Sequence, residues 1–123
     1  DITPYITDYA PIPEEHFRKF FGERLADSLM KENENDCLAK VSREKLSASW
    51  GELRRIIDEL PTEEYLYGLL EMLDAKRDLA SIGVEESELP VLLKNSPLVR
   101  NRLTLMRTRR MMDIERIEQY AMM

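Results

Sequence analysis

The stretch Trp50-Gly51-Glu52-Leu53-Arg54-Arg55-Ile56-Ile57-Asp58-Glu59-Leu60-Pro61-Thr62-Glu63-Glu64-Tyr65-Leu66-Tyr67-Gly68-Leu69-Leu70-Glu71-Met72-Leu73 decides the fold class. Trp50, Leu53, Ile56, Ile57 and Leu60 recur mostly at steps of three and four, which gathers them on one face of an α-helix. Pro61 ends that helix, because proline disfavours α geometry at the residue before it. Thr62 then offers a capping oxygen, and Glu63 and Glu64 put negative charge in a first turn, where the helix dipole favours it. Leu66, Leu69, Leu70 and Leu73 give the second helix its own stripe. No segment of the chain alternates like a strand for more than a few residues, and no internal repeat is visible. The reading is all-α, a bundle of about five to six helices.

Outward from this pair the same rules apply. Residues 1–12 hold several β-formers with Pro4 and Pro11 and read as an extended entry segment. Residues 13–123 read as a single helical domain. Pro13, Glu14 and Glu15 open its first helix, and Phe17, Phe20, Phe21, Leu25 and Leu29 form an apolar stripe. Gly22 lies inside this helix and is expected to mark a close packing contact. Lys31 to Asp36 is a polar loop. Leu38, Val41 and Leu46 belong to a second helix with a break near Ser42. Asp74 to Gly83 is a short helical piece or turn closed by Gly83 as a left-handed cap. Glu85 to Asn95 is a short helix interrupted near Pro90. Ser96 and Pro97 start a last helix that is expected to run to about Tyr120.

The chain has 123 residues, one domain's worth, with a net charge of -6. That charge weighs against general affinity for nucleic acid or an anionic membrane. Cys37 is the one cysteine, so no internal disulfide forms, which fits a reducing, cytoplasmic setting. The longest apolar runs, such as Leu89 to Leu93, are too short to span a bilayer, and the N-terminus lacks a signal-peptide pattern.

Few residues here carry chemistry. The glycines at 22, 51, 68 and 83 stand apart, so neither a dinucleotide fingerprint nor a P-loop is present. His16 and Cys37 are too few for a zinc site and read as packing or surface residues. The pairs Glu14/Glu15, Glu63/Glu64 and Glu85/Glu86 sit at helix starts and serve the dipole rather than acid/base chemistry. The segment Ser96 to Met112 is the exception. It holds five arginines and no acid in an acidic chain. Arginine recognises phosphate or carboxylate with two parallel donors, so Arg100 and Arg102 are candidate anion-binding or packing residues. The plainer alternative is a solvated basic face paired with acids in the Glu59 to Asp74 region. Leu98, Leu105, Met106 and Met112 compete for the buried side of this expected helix.

From Phe21 onward the chain resembles the C-terminal helical domain of sn-glycerol-1-phosphate dehydrogenases, relatives of the iron-containing alcohol dehydrogenase and glycerol dehydrogenase group. The likeness runs through Phe21-Gly22-Glu23, Ala26, Glu32 and Lys40, then Trp50 and Leu53-Arg54-Arg55-Ile56-Ile57. It continues in Leu60-Pro61-Thr62-Glu63-Glu64, Leu69-Leu70 and Ile82-Gly83-Val84. It closes on Val99-Arg100-Asn101-Arg102-Leu103-Thr104-Leu105, which is similar to the family's R-x-R-(aromatic)-T-(aliphatic) segment. Leu103 departs from that pattern at the aromatic position, and Met111 and Met112 replace a leucine-rich continuation. The resemblance implies an NAD(P)-dependent, metal-dependent cytoplasmic oxidoreductase acting on dihydroxyacetone phosphate. It implies that this chain, which begins at Asp1, is the C-terminal part of a longer parent, docked on its own N-terminal nucleotide-binding domain. Neither the metal ligands (one Asp and two His) nor the nucleotide loops map onto these residues, so this segment alone is expected to bind no cofactor and no metal and to be inactive. The alternative is a free-standing helical protein-interaction module with a basic C-terminal helix. A homodimer is compatible with both; a nucleic-acid or membrane partner is expected of neither.

Overall fold

The computed structural model describes residues 1–123 and is all-helical. Its α-helices are α1 (Glu14–Phe21), α2 (Glu23–Glu32), α3 (Arg43–Asp58), α4 (Glu63–Met72), α5 (Leu89–Asn95), α6 (Leu105–Thr108) and α7 (Ile114–Ala121), joined through short 3-10 turns. There is no sheet; a lone antiparallel bridge pairs Ile6 with Met112. Seven helices stand where five to six were expected, because expected helices are cut.

The first cut is at Gly22, whose φ of 77° and ψ of 162° lie where L-residues rarely go. Its N–H still bonds to the Arg18 carbonyl and ends α1. A Cβ at Gly22 would meet nothing within 4 Å. The backbone bend, not close packing, is therefore what requires glycine there. The second cut divides the basic segment. Ser96–Val99 is a 3-10 turn, and Arg100 is extended at φ -138° and ψ 134°. Thr104 accepts from the Arg107 N–H to start α6, and Asp113 accepts from the Arg116 N–H to start α7. Capping side chains inside the expected helix compete with its continuation, and here the caps win.

The expected break near Ser42, cap at Thr62 and stop at Gly83 hold, while the interruption near Pro90 and the wholly extended entry segment do not. Ser42 caps α3 through the Lys45 N–H, after a 3-10 turn at Cys37–Lys40. Thr62 caps α4 through the Tyr65 N–H. Gly83 takes the left-handed conformation, φ 76° and ψ 21°. Pro90 sits in the first turn of α5, starting that helix rather than interrupting it. The entry segment carries one 3-10 turn, Thr3–Tyr5, before the Ile6 bridge.

The core has two parts. Ile6, Leu38, Leu46 and Met111 form one, flanked by Val41, Leu53 and Met112. Phe17, Ala26 and Leu98 form the other, flanked by Phe21, Leu29 and Met30. Both join residues from the first 46 of the chain to its last quarter. Leu105 and Met106 do not enter either, and Met111 is the methionine that is fully buried. No residue from Ser47 to Lys94 is buried. The second half of α3 and all of α4 leave the core, and Ile56, Leu60, Leu66, Leu69 and Leu73 stay exposed.

These positions separate cleanly in stability measurements. Leu38→Ala should lose about 2–5 kcal/mol in urea unfolding, the usual cost of emptying a packed site. Leu66→Ala, exposed in this chain, should stay within about 0.5 kcal/mol. Gly22→Ala should cost about 1–3 kcal/mol although nothing crowds the new methyl, because the backbone conformation is the obstacle.

Candidate functional site

The polar centre of the molecule is built on Asp36 and Arg107. Asp36 caps the Cys37–Lys40 turn, its Oδ1 accepting from the Leu38 N–H at 3.0 Å. Arg107 on α6 is fully buried. Its Nε and Nη2 donate to Asp36 Oδ1 at 3.2 and 2.9 Å. Nη2 also donates to Asn33 Oδ1 at 2.6 Å, and Nη1 donates to the carbonyls of Pro97 and Arg100 at 2.8 and 3.0 Å. All five guanidinium donors are thus used, which is what allows this charge to be buried.

Arg110 takes the other carboxylate oxygen. Its Nη1 donates to Asp36 Oδ2 at 2.6 Å and its Nη2 to the Ala10 carbonyl at 3.0 Å. The guanidinium lies 5.5 Å from the centre of the Tyr9 ring, and the Tyr9 hydroxyl donates to Asp36 Oδ2 at 3.1 Å. One carboxylate therefore serves two guanidinium groups. Burial by itself would raise the Asp36 pKa; the hydrogen bonds from Arg110 and Arg107, with the Leu38 amide, overcome that and hold it at about 2. Burial, then the hydrogen bond to Asp36, pushes the Tyr9 hydroxyl above its ordinary value.

Asparagines extend the network. Asn33 Nδ2 donates to the carbonyls of Leu29 and Leu98. Asn101 Oδ1 accepts from the Cys37 N–H, and its Nδ2 donates to the Asn35 carbonyl. Asn95, buried at the end of α5, donates to the Val91 carbonyl and meets His16 Nε2 at 2.6 Å. Every buried side-chain polar atom has a partner.

The structure separates the candidate arginines from this centre. Arg100 and Arg102 are both exposed and lie outside any helix; Arg100 is extended, and the Arg102 N–H donates to the Arg100 carbonyl. The Arg100 carbonyl accepts from Arg107, but neither guanidinium of this pair has an ion-pair partner, and neither lines the two cavities that flank the network. The basic segment does not pair with the Glu59 to Asp74 region; Arg107 and Arg110 turn instead to Asp36. Sequence reasoning missed Asp36 because it sits in a polar loop, 71 residues before Arg107, and no local spacing links the two. The only local hint was an Asp two residues ahead of Leu38, a capping position.

The residues present do not fit the cofactor or the metal that the resemblance implies. The four glycines build no phosphate cradle. No group of three or more His, Cys, Asp or Glu is placed to hold a metal ion. No helix is long and apolar enough to cross a membrane. Comparison with protein-family models, with curated proteins and with solved structures finds no match.

Two measurements probe the network. Asp36→Asn would leave two guanidinium groups without their counter-charge and should cost about 3–5 kcal/mol in urea unfolding. The lowered Asp36 pKa gives stability that is complete above the ordinary carboxyl value of 3.8 and is lost as pH falls through about 2. Unfolding free energy measured from pH 5 to pH 2 should therefore fall by about 2 kcal/mol through this group, and the Asp36→Asn protein should lack that component.

Proposed function

We propose that this chain is the C-terminal helical domain of an NAD(P)-dependent sn-glycerol-1-phosphate dehydrogenase-like oxidoreductase, forming one wall of its substrate cleft and inactive alone. The observation that supports this reading is the uncovered apolar flank of α3 and α4. On α4, Tyr65, Leu66, Tyr67, Leu69 and Met72 are all exposed, and Leu73 follows them. These positions fall on more than one side of the helix. A helix apolar on several sides belongs inside a larger body. The flank also coincides with the Leu60-Pro61-Thr62-Glu63-Glu64 and Leu69-Leu70 stretches that carry much of the resemblance.

In this role the chain supplies surface, not reacting groups. Its flank covers the nucleotide-binding domain and helps exclude water from the cleft, while the Asp36 network keeps the helical domain rigid. The hydride donor and the metal that polarises the substrate oxygen would be held by residues elsewhere in the parent.

The coding sequence directly upstream of Asp1 tests this. An in-frame nucleotide-binding domain with a Gly-rich strand-to-helix turn, followed by an Asp and two spaced histidines, supports the dehydrogenase reading. A start codon just before Asp1 overturns it and leaves a free-standing helical interaction module using the same flank. The isolated 123-residue chain should show no NAD(P)H-dependent reduction of dihydroxyacetone phosphate. Turnover by the purified chain would overturn the claim that it is inactive alone.

A further inference from the structure

A cavity of about 310 Å³ opens where the entry segment passes α1 and the end of α5. Its polar lining is His16, Lys94, Asn95 and Arg110, set in apolar walls from Ile12 and Leu98. No carboxylate lines it, in a chain with 24 acidic and 18 basic residues. Two cationic side chains, Lys94 and Arg110, and one imidazole thus face this cavity with no acid in its lining.

The lining is held in place from behind. Asn95 is only 2% exposed, and its amide is oriented by donation to the Val91 carbonyl. Its oxygen then faces His16 Nε2 at 2.6 Å, so Nε2 carries the proton and the ring is fixed. Arg110 is fixed by Asp36, by the Ala10 carbonyl and by the Tyr9 ring. Those bonds use two of its five N–H donors. Asp36 is shared with Arg107, so the pair of guanidinium groups keeps one positive charge in excess. Lys94 is exposed and makes no ion pair.

We infer that this cavity binds a small phosphate-class oxyanion, gripped by Arg110 from within and by Lys94 from the solvent side. A phosphate would balance the surplus charge beside Asp36 and accept from the free donors of Arg110, whose planar fork suits two oxygens at once. The volume lies at the lower end of small-molecule sites, enough for a phosphate on a short organic stem. The inference stands apart from the dehydrogenase reading, because the cavity is formed wholly by this chain.

The test is a titration of the 123-residue chain with inorganic phosphate at constant ionic strength, followed by backbone amide chemical shifts. Saturable shifts are expected at Ala10, Ile12, His16, Lys94 and Asn95. Lys94→Glu, at an exposed position without partners, should leave the rest of the spectrum unchanged and weaken binding at least about tenfold. Lys94→Arg should retain it. Acetate should bind at least about tenfold more weakly than phosphate, having one charge fewer. Absence of saturable shifts, equal binding by the Lys94→Glu protein, or equal binding of acetate would each overturn the assignment.

Discussion

The structure depends on one carboxylate answering two guanidinium groups. Asp36 caps a turn near the start of the chain, and Arg107 and Arg110 approach it from near the end. A buried arginine is tolerable only when its donors are all taken and a counter-charge is close. Satisfying Arg107 fixes the carbonyls of Pro97 and Arg100, the side chain of Asn33 and the carboxylate in one arrangement. The core has two apolar parts, with Leu38 and Met111 in one and Phe17 and Leu98 in the other. Burial of these groups supplies the driving force, while the charged centre sets which segments must meet.

Local grammar made much of the helical order legible. Thr62 read as a cap and Gly83 as a left-handed stop, and each does that work, while the break expected near Ser42 proves to be a cap that starts α3. Periodicity alone could not see that Arg107 would be pulled inward, since a run of arginines on an expected helix looks like a wet face. It also gave Gly22 the wrong reason: the position needs a backbone angle, not room for a neighbour. The anion-binding question moved with the helix break. Arg100 and Arg102 stood out because they share a motif, yet they are exposed outside any helix, while Arg110 is the arginine of the segment that lines the cavity beside His16. Asp36 carried no signature of its own, because its role comes from partners far along the sequence.

The apolar spacing of α3 and α4 was readable, but the inference from spacing to burial was not. Trp50, Leu53, Ile56 and Leu60 form a helical face as expected, and that face leaves the core as it advances, from half-buried Leu53 to exposed Leu60. An amphipathic pattern states that a face wants cover. It does not say whether the cover comes from the same chain. This is why one sequence supports both a tidy list of helices and a molecule with no interior between Ser47 and Lys94.

The contacts between the two ends carry a kinetic consequence. Thr7 donates to the Met111 carbonyl, Asp113 donates to the Tyr5 carbonyl, and Arg116 reaches the Pro4 carbonyl. These closures span nearly the whole chain. The central helices can form early from local contacts, but the interior cannot close until the far end arrives and the entropy of a very long loop has been met. During synthesis the Asp36 turn must therefore emerge from the ribosome and wait for Arg107 and Arg110, and the segment around Pro4, Tyr5 and Thr7 stays open to other binders until residues 111–116 have followed.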